Sequence, residues 1–249
     1  MMILRAESIS KSFSDKKVLD DISVSLSEGE LVCILGVSGI GKTTLFNILS
    51  GLLMPDSGRV ILKGEDITGS TGHLSYMLQK DLLLEHKKVI DNVALPLVLK
   101  GMGKKEARQK AFEYFEKFSL TGTEYKYPAQ LSGGMRQRAS LLRTYMCGDE
   151  VALLDEPFSA LDVRTRDSVR KWYLDVMDNI RLSTLFITHD IDEALLISDR
   201  IYVLGGTPAV IMDEIDTGGR KNRDPETGYP EDHTKLRQRI LECFDPAST

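Results

Sequence analysis

The chain has 249 residues, 42% hydrophobic and 28% charged, with a net charge of −5. That balance suits a soluble globular chain large enough for one domain with a subdomain, and it disfavours broad electrostatic attraction to nucleic acid. Cys33, Cys147 and Cys243 lack metal-ligand spacing and fit a reducing compartment, the N-terminus lacks a signal peptide's apolar core, and no apolar run approaches the roughly 18 residues of a spanning helix.

Ile3, Ala6 and Ile9, then Val18, Leu19, Ile22, Val24 and Leu26, alternate with polar residues and predict short strands, with a turn at Ser27–Glu30. Leu31–Leu35 is a continuous apolar run, as in a strand buried on both faces, and Cys33 within it reads as a small core residue. Thr43 to Leu52 has helical periodicity, Gly58 to Gly64 is a strand between turn signals, and Leu74 to Leu78 is a shorter strand ending at Gln79. From about 80 to 147 helical signals dominate. Lys104 to Phe118 sets Ala107, Ala111, Phe115 and Phe118 at helical spacing, and Ser132 is placed to cap a helix running through Met146. Apolar strands return at Val151–Leu154, Thr184–Ile187 and Ile201–Leu204. A polar linker after Ile215 leads to a short helix from about Thr234 to Phe244. The pattern predicts an α/β core interrupted by a helical insertion.

Gly36-Val37-Ser38-Gly39-Ile40-Gly41-Lys42-Thr43 fits the phosphate-loop pattern, after a buried strand and before a helix that continues with Thr44. Glycines let the backbone curl its N–H groups around phosphates, and the helix N-terminus adds positive potential. Lys42 is placed to reach the β- and γ-phosphates, and the Thr43 hydroxyl to coordinate Mg²⁺. Val151-Ala152-Leu153-Leu154-Asp155-Glu156 then delivers two carboxylates at a strand end. Successive strand side chains point to opposite sides, so the two acids take different roles. Asp155 suits Mg²⁺ and Glu156 suits orienting or deprotonating an attacking water. A plain acidic turn is the alternative. Leu131-Ser132-Gly133-Gly134-Met135-Arg136-Gln137-Arg138 offers exposed backbone N–H groups, a hydroxyl and a helix dipole. It reads either as a second anion site or as a simple capped amphipathic helix.

The order of these motifs resembles the ATP-binding subunit of an ATP-binding cassette (ABC) transporter. Gly36–Thr43 matches its Walker A loop, Gln79 its Mg²⁺- and γ-phosphate-sensing glutamine, and Leu131–Gln137 its signature, including Ser132, Gly133, Gly134 and Gln137. Val151–Glu156 matches Walker B with its catalytic glutamate, and Ser159-Ala160-Leu161-Asp162 the D-loop. His189 matches the switch histidine, and Phe13 the aromatic residue that stacks on adenine. These motifs span residues 3 to about 205.

The resemblance implies a phosphate-loop NTPase core with a mixed central sheet, an N-terminal antiparallel β subdomain and an inserted α-helical subdomain. The ATPase domain would span 1–215, with the insertion at about 80–147, and 216–249 would be a linker and short helix. It also implies ATP and Mg²⁺, with Thr43, Gln79 and Asp155 on the metal and Glu156, His189 and Gln79 in catalysis. Two copies would pack head to tail, each signature closing the other's ATP site. Membrane permease subunits and an extracytoplasmic solute-binding protein would complete an importer, with this chain on the cytoplasmic face and no nucleic-acid partner.

Segments around Tyr76–Leu83, Asp155–Asp162 and Thr188–Ala194 are similar to the nitrate/sulfonate/taurine branch of importers, with the importers of thiamine-precursor pyrimidines also close. Glu85-His86-Lys87-Lys88 departs from that branch where a Pro-Trp pair is common. The leucines of Asp81–Leu84 and Val89–Leu97 serve either a groove for the permease or the core of the insertion. The tail beyond 216 is too short for a typical regulatory domain and reads as a brace for the core. Non-transport members of the superfamily and phosphate-loop small-molecule kinases are the alternatives. Long coiled-coil insertions would mark the first, and an acceptor pocket with a lid the second.

Overall fold

The N-terminal alternation pairs as a long antiparallel hairpin of β1 (Met2–Phe13) and β2 (Lys16–Ser27). The computed structural model describes residues 1–158, 172–174, 176, 177, 180, 182–219, 223 and 229–244. The chain divides into two units, Met1–Leu74 with Leu182–Thr249, and Ser75–Arg181.

In the first unit, β4 (Ser57–Leu62) and β5 (Glu65–Asp66) extend the hairpin into a sheet of order β2-β1-β4-β5. The uneven spacing of Ala6 and Ile9 has a local cause. The register shifts between them, where Ser8 takes φ 51°, and Ile9 returns to the buried face. Asp21, also at φ 51°, lies between the buried Leu19 and Ile22 on β2.

A second sheet in this unit places β3 (Leu31–Leu35) between β8 (Ser183–Thr188) and β9 (Arg200–Gly205), parallel to both. β10 (Val210–Asp216) returns antiparallel on β9, so the sheet is mixed. Every residue of β3 and β8 is buried, as their unbroken apolar and threonine-rich runs require. Helix α1 (Lys42–Leu49) buries Leu45, Phe46, Ile48 and Leu49. It ends short of the predicted Leu52, because Gly51 at φ 76° turns the chain and leaves Leu52 62% exposed.

In the second unit, β6 (Ser75–Met77) runs parallel to β7 (Val151–Asp155), with Tyr76 opposite Leu153. Between them the chain forms α2 (Val89–Val93), α3 (Leu95–Leu99), α4 (Lys104–Phe112) and α5 (Gly133–Tyr145). α4 is shorter than the predicted 104–118. Aromatic residues crowd 112–118 and favour helix weakly, and the chain tightens into three-residue turns there. Phe115 and Phe118 are still buried, and the Phe118 ring lies 5.8 Å from that of Tyr145.

The leucine-rich stretch resolves mostly as core: Leu83, Val89, Ile90, Val93, Ala94 and Leu97 are buried, whereas Leu82, at φ 45°, is 52% exposed. Fully buried Asn92 fixes the loop before α2. Its Oδ1 accepts from Leu84 N at 2.6 Å, and its Nδ2 donates to the carbonyls of Leu84, Lys87 and Lys88. Among the described residues, no helix is long and apolar enough to cross a membrane.

Candidate functional site

Strand β3 ends at Leu35 and the chain turns into the loop 36–41 before α1 starts at Lys42. Gly36 N donates to Thr188 O at 3.3 Å, tying the loop to the end of β8. Val37, Ser38 and Gly39 are exposed, Ile40 is half-buried, and Thr43 and Thr44 open the first turn of α1. Lys42 is buried, and its Nζ donates to Gly36 O at 2.6 Å and Val37 O at 3.0 Å. The ammonium is thus held over the loop it serves, satisfied by loop carbonyls.

Gly41 is the residue the loop cannot replace. It adopts φ 119°, and a Cβ there would sit 2.9 Å from Leu19 Cδ2 and 3.0 Å from Val18 Cγ1. Gly41→Ala is expected to cost about 1–3 kcal/mol of stability and to weaken nucleotide binding. Denaturant unfolding with a nucleotide titration checks this, and wild-type stability with wild-type affinity would contradict it.

A groove of about 90 Å³ beside the loop is lined by Lys16, Lys17, Val18, Gly39, Ile40 and Thr207, among others. Phe13 stands at the end of β1 opposite Lys16, 47% exposed, with Lys11 Nζ 5.8 Å from its ring centroid. The ring is therefore available for stacking. Lys16, Lys17 and Thr207 were not singled out from sequence. The two lysines directly after the Ser14-Asp15 turn are the one signal that points to them.

His189 also belongs to the first unit, exposed between β8 and α6 (Ile191–Ile197). Thr188 Oγ1 bonds the buried Glu193 carboxylate and accepts from Asp190 N at 3.1 Å. Asp190 caps α6 by accepting from Glu193 N at 3.0 Å. The backbone on both sides of His189 is therefore fixed by the first turn of α6.

The second unit brings Gln79 and Glu156 together: Gln79 Nε2 donates to Glu156 Oε2 at 3.0 Å. Glu156 takes φ 45°, a left-handed conformation that is uncommon for a side-chain-bearing residue and is found at functional turns. Asp155, one residue earlier, is buried, and its charge bears on the Tyr76 hydroxyl. Burial first, and then the Asp155 charge, push the Tyr76 hydroxyl well above its ordinary pKa, so it keeps its proton. Tyr76 was not identified as a site residue from sequence; its place opposite Leu153, beside the acidic strand end, is what gives it a role.

Ser132 caps α5 as predicted, its Oγ accepting from Met135 N at 3.3 Å. Ser132 and Gly133 are exposed and Gly134 is buried at the N-terminus of this 13-residue helix, the positive end of its dipole. Buried Gln137 donates to Pro157 O, which ties α5 to the end of the acidic strand. α5 is also tied to the segment after Gln79. Arg136 Nε donates to Asp81 Oδ2 at 2.9 Å, and Arg143 donates to Leu82 O at 2.8 Å. Burial pushes the Asp81 carboxyl up, but the Arg136 guanidinium and the Leu83 amide outweigh it, and its pKa lies below the ordinary value. Asp162 and the rest of the predicted D-loop, Ser159–Leu161, lie outside the described residues.

No group of three or more His, Cys, Asp or Glu side chains suited to a metal occurs among the described residues. The Thr43 hydroxyl in the first unit, and the buried Asp155 carboxylate and Gln79 amide in the second, are each oxygen donors of the kind Mg²⁺ takes.

The ABC transporter family profile matches residues 19–159. The formylaminopyrimidine import ATP-binding protein ThiZ of Halalkalibacterium halodurans is 39% identical over 90% of this chain and 88% of its own length. The sulfate/thiosulfate import ATP-binding protein CysA of Pseudomonas aeruginosa is 36% identical over 92% of this chain and 70% of its own. Among solved structures, the dimeric ATP-binding cassette MJ0796 bound to ADP and Pi superposes with a TM-score of 0.74 at 26% identity, over 87% of this chain and 100% of that one. The phosphate loop, the acidic strand end, the signature helix and these similarities have one reading: the chain belongs to the ABC transporter family, as an ATP-binding subunit with a phosphate-loop NTPase fold that hydrolyses ATP.

Proposed function

We propose that two copies of this chain form a head-to-tail pair that powers import of a small solute through separate permease subunits at the inner membrane face. The observation that carries the catalytic part is the 3.0 Å bond from Gln79 to Glu156, which joins the predicted sensor to the predicted catalytic carboxylate. Residues 1–215 act as the ATPase domain, with 80–147 as its helical part and 216–249 as a tail.

Lys42 and the amides of residues 36–44 bind the phosphates, and Phe13 stacks on the base. Thr43, Asp155 and Gln79 would hold Mg²⁺, which supplies charge neutralisation on the phosphates when bound. Glu156 orients and deprotonates the attacking water, and His189 contacts the γ-phosphate. Ser132, Gly133, Gly134 and Gln137 of one copy complete the site of the other. Phosphoryl transfer depends mainly on positioning and charge stabilisation, so a site split between chains acts as a switch.

Two relatives supply the direction and the solute range. ThiZ is named for formylaminopyrimidine import and CysA for sulfate/thiosulfate import, so an anionic solute is a candidate. The resemblance to the nitrate/sulfonate/taurine branch supports the same choice. Glu85–Lys88 marks where the permease contact differs from that branch, and an extracytoplasmic solute-binding protein fits an importer. The test is ATP hydrolysis by the purified chain without any phosphate acceptor, followed by uptake of sulfate and of formylaminopyrimidine by vesicles containing its permease. Acceptor-independent release of phosphate and ATP-dependent uptake are expected. Transfer of phosphate to a small molecule, with no hydrolysis alone, would favour the kinase reading.

A further inference from the structure

The tail does more than cover the core. Helix α7 (His233–Cys243) buries Ile240, while Arg239 holds Asp213 on β10 through a two-pronged pair. Its charged face also reaches α6: Arg237 Nε lies 3.3 Å from Asp192 Oδ1, and His233 Nε2 lies 3.7 Å from the same oxygen. At the opposite end of α6, Arg223 Nη1 donates to Leu195 O at 2.8 Å and also to Leu196 O, while Nη2 donates to Ser198 O at 2.7 Å. Thr217 Oγ1 adds a bond to Ser198 O at 2.7 Å.

α6 has no basic residue in its own last turn. Its terminal carbonyls and the negative end of its dipole are instead met by a guanidinium from the tail. A seven-residue helix is marginal by itself, so contacts from outside decide whether it holds its shape. Its first turn in turn fixes the peptide on either side of His189, through Glu193 with Thr188 and through the Asp190 cap.

We propose that Arg223, supported by Arg237 and His233, is a positioning residue for hydrolysis: the tail clamps α6 at both ends and thereby sets His189. The inference rests on the assignment of His189 to the hydrolytic site. Arg223 carries more of the clamp than the Arg237–Asp192 pair, because it makes three bonds to helix-end carbonyls while that pair is solvent-exposed.

The experiment compares Arg223→Met, Arg223→Lys, Asp192→Asn and His189→Ala in the full chain, each with kcat, KM for ATP and nucleotide Kd. Hydrogen exchange of the 188–197 amides is read in parallel. Arg223→Met is expected to lower kcat roughly tenfold to a hundredfold, with nucleotide Kd within about twofold of wild type. Arg223→Lys should recover part of the loss, and exchange over 188–197 should quicken in Arg223→Met. Asp192→Asn, which keeps the Arg223 bonds, should show the same changes in smaller measure and covers the case in which Arg223→Met fails to fold. Unchanged exchange over 188–197 in Arg223→Met overturns the clamp, whatever His189 does. A kcat loss matched by an equal loss of nucleotide binding also overturns it. Wild-type turnover in His189→Ala, with quickened exchange in Arg223→Met, would instead refute the role of His189 and keep the clamp.

Discussion

Glu156→Gln is expected to bind ATP as wild type does and to lose about a thousandfold in turnover, the span that removing a general base commonly costs. The structure explains why the change should be this selective. Glutamine has the same length and keeps an oxygen to accept from Gln79 Nε2, so the 3.0 Å bond can persist. The left-handed turn at φ 45° is equally open to either side chain, and the fold should not respond. What disappears is the charge that orients and deprotonates water. ATP then stays intact between two copies, and a dimer should accumulate. Pre-steady-state phosphate release, with size-exclusion chromatography in ATP and Mg²⁺, reads both effects. Steady-state hydrolysis at the wild-type rate would remove Glu156 from its role.

Ser132→Arg is expected to abolish hydrolysis at a site on another chain. Ser132 and Gly133 are exposed at the start of α5, and no acid lies in its first turn. An arginine there removes the cap, worth about 1 kcal/mol, and fills the space an incoming γ-phosphate would need. The variant should still bind nucleotide through its own Lys42. Mixed with Lys42→Met, which is inactive by itself, it should restore activity. One site of each mixed pair then combines an intact Lys42 with an intact Ser132. Half the pairs are mixed and each has one good site, so recovery reaches at most about a quarter of the wild-type rate. Full activity of Ser132→Arg alone would contradict the shared site.

Much of this was legible in the sequence because backbone chemistry dictates it. The phosphate loop needs glycines at fixed places, and Gly41 at φ 119° against Val18 and Leu19 shows the reason for one of them. Ser132 was recognisable as a cap because few residues can accept from the first turn of a helix, and Met135 N is its donor. Core strands such as Leu31–Leu35 announce themselves by continuous apolar runs.

Other features depended on tertiary context. Leu82 and Leu83 are adjacent and alike, yet one is exposed and the other buried, because Leu82 sits in a left-handed turn. The end of α1 depended on Gly51, which a periodicity count passes over. Tyr76 gained its role only from the strand that places it beside Asp155. Arg223 lies in a polar stretch that reads as linker, and its carbonyl partners are 25–28 residues away in the chain.

The central claim is that one copy of this chain holds only part of each ATP site. It is tested most directly by the rate of ATP hydrolysis per subunit, measured across a wide range of protein concentration at saturating ATP and Mg²⁺. The shared-site account predicts a specific rate that rises with concentration and levels off as pairs form. A specific rate that stays constant down to concentrations where sedimentation finds only monomer would contradict it.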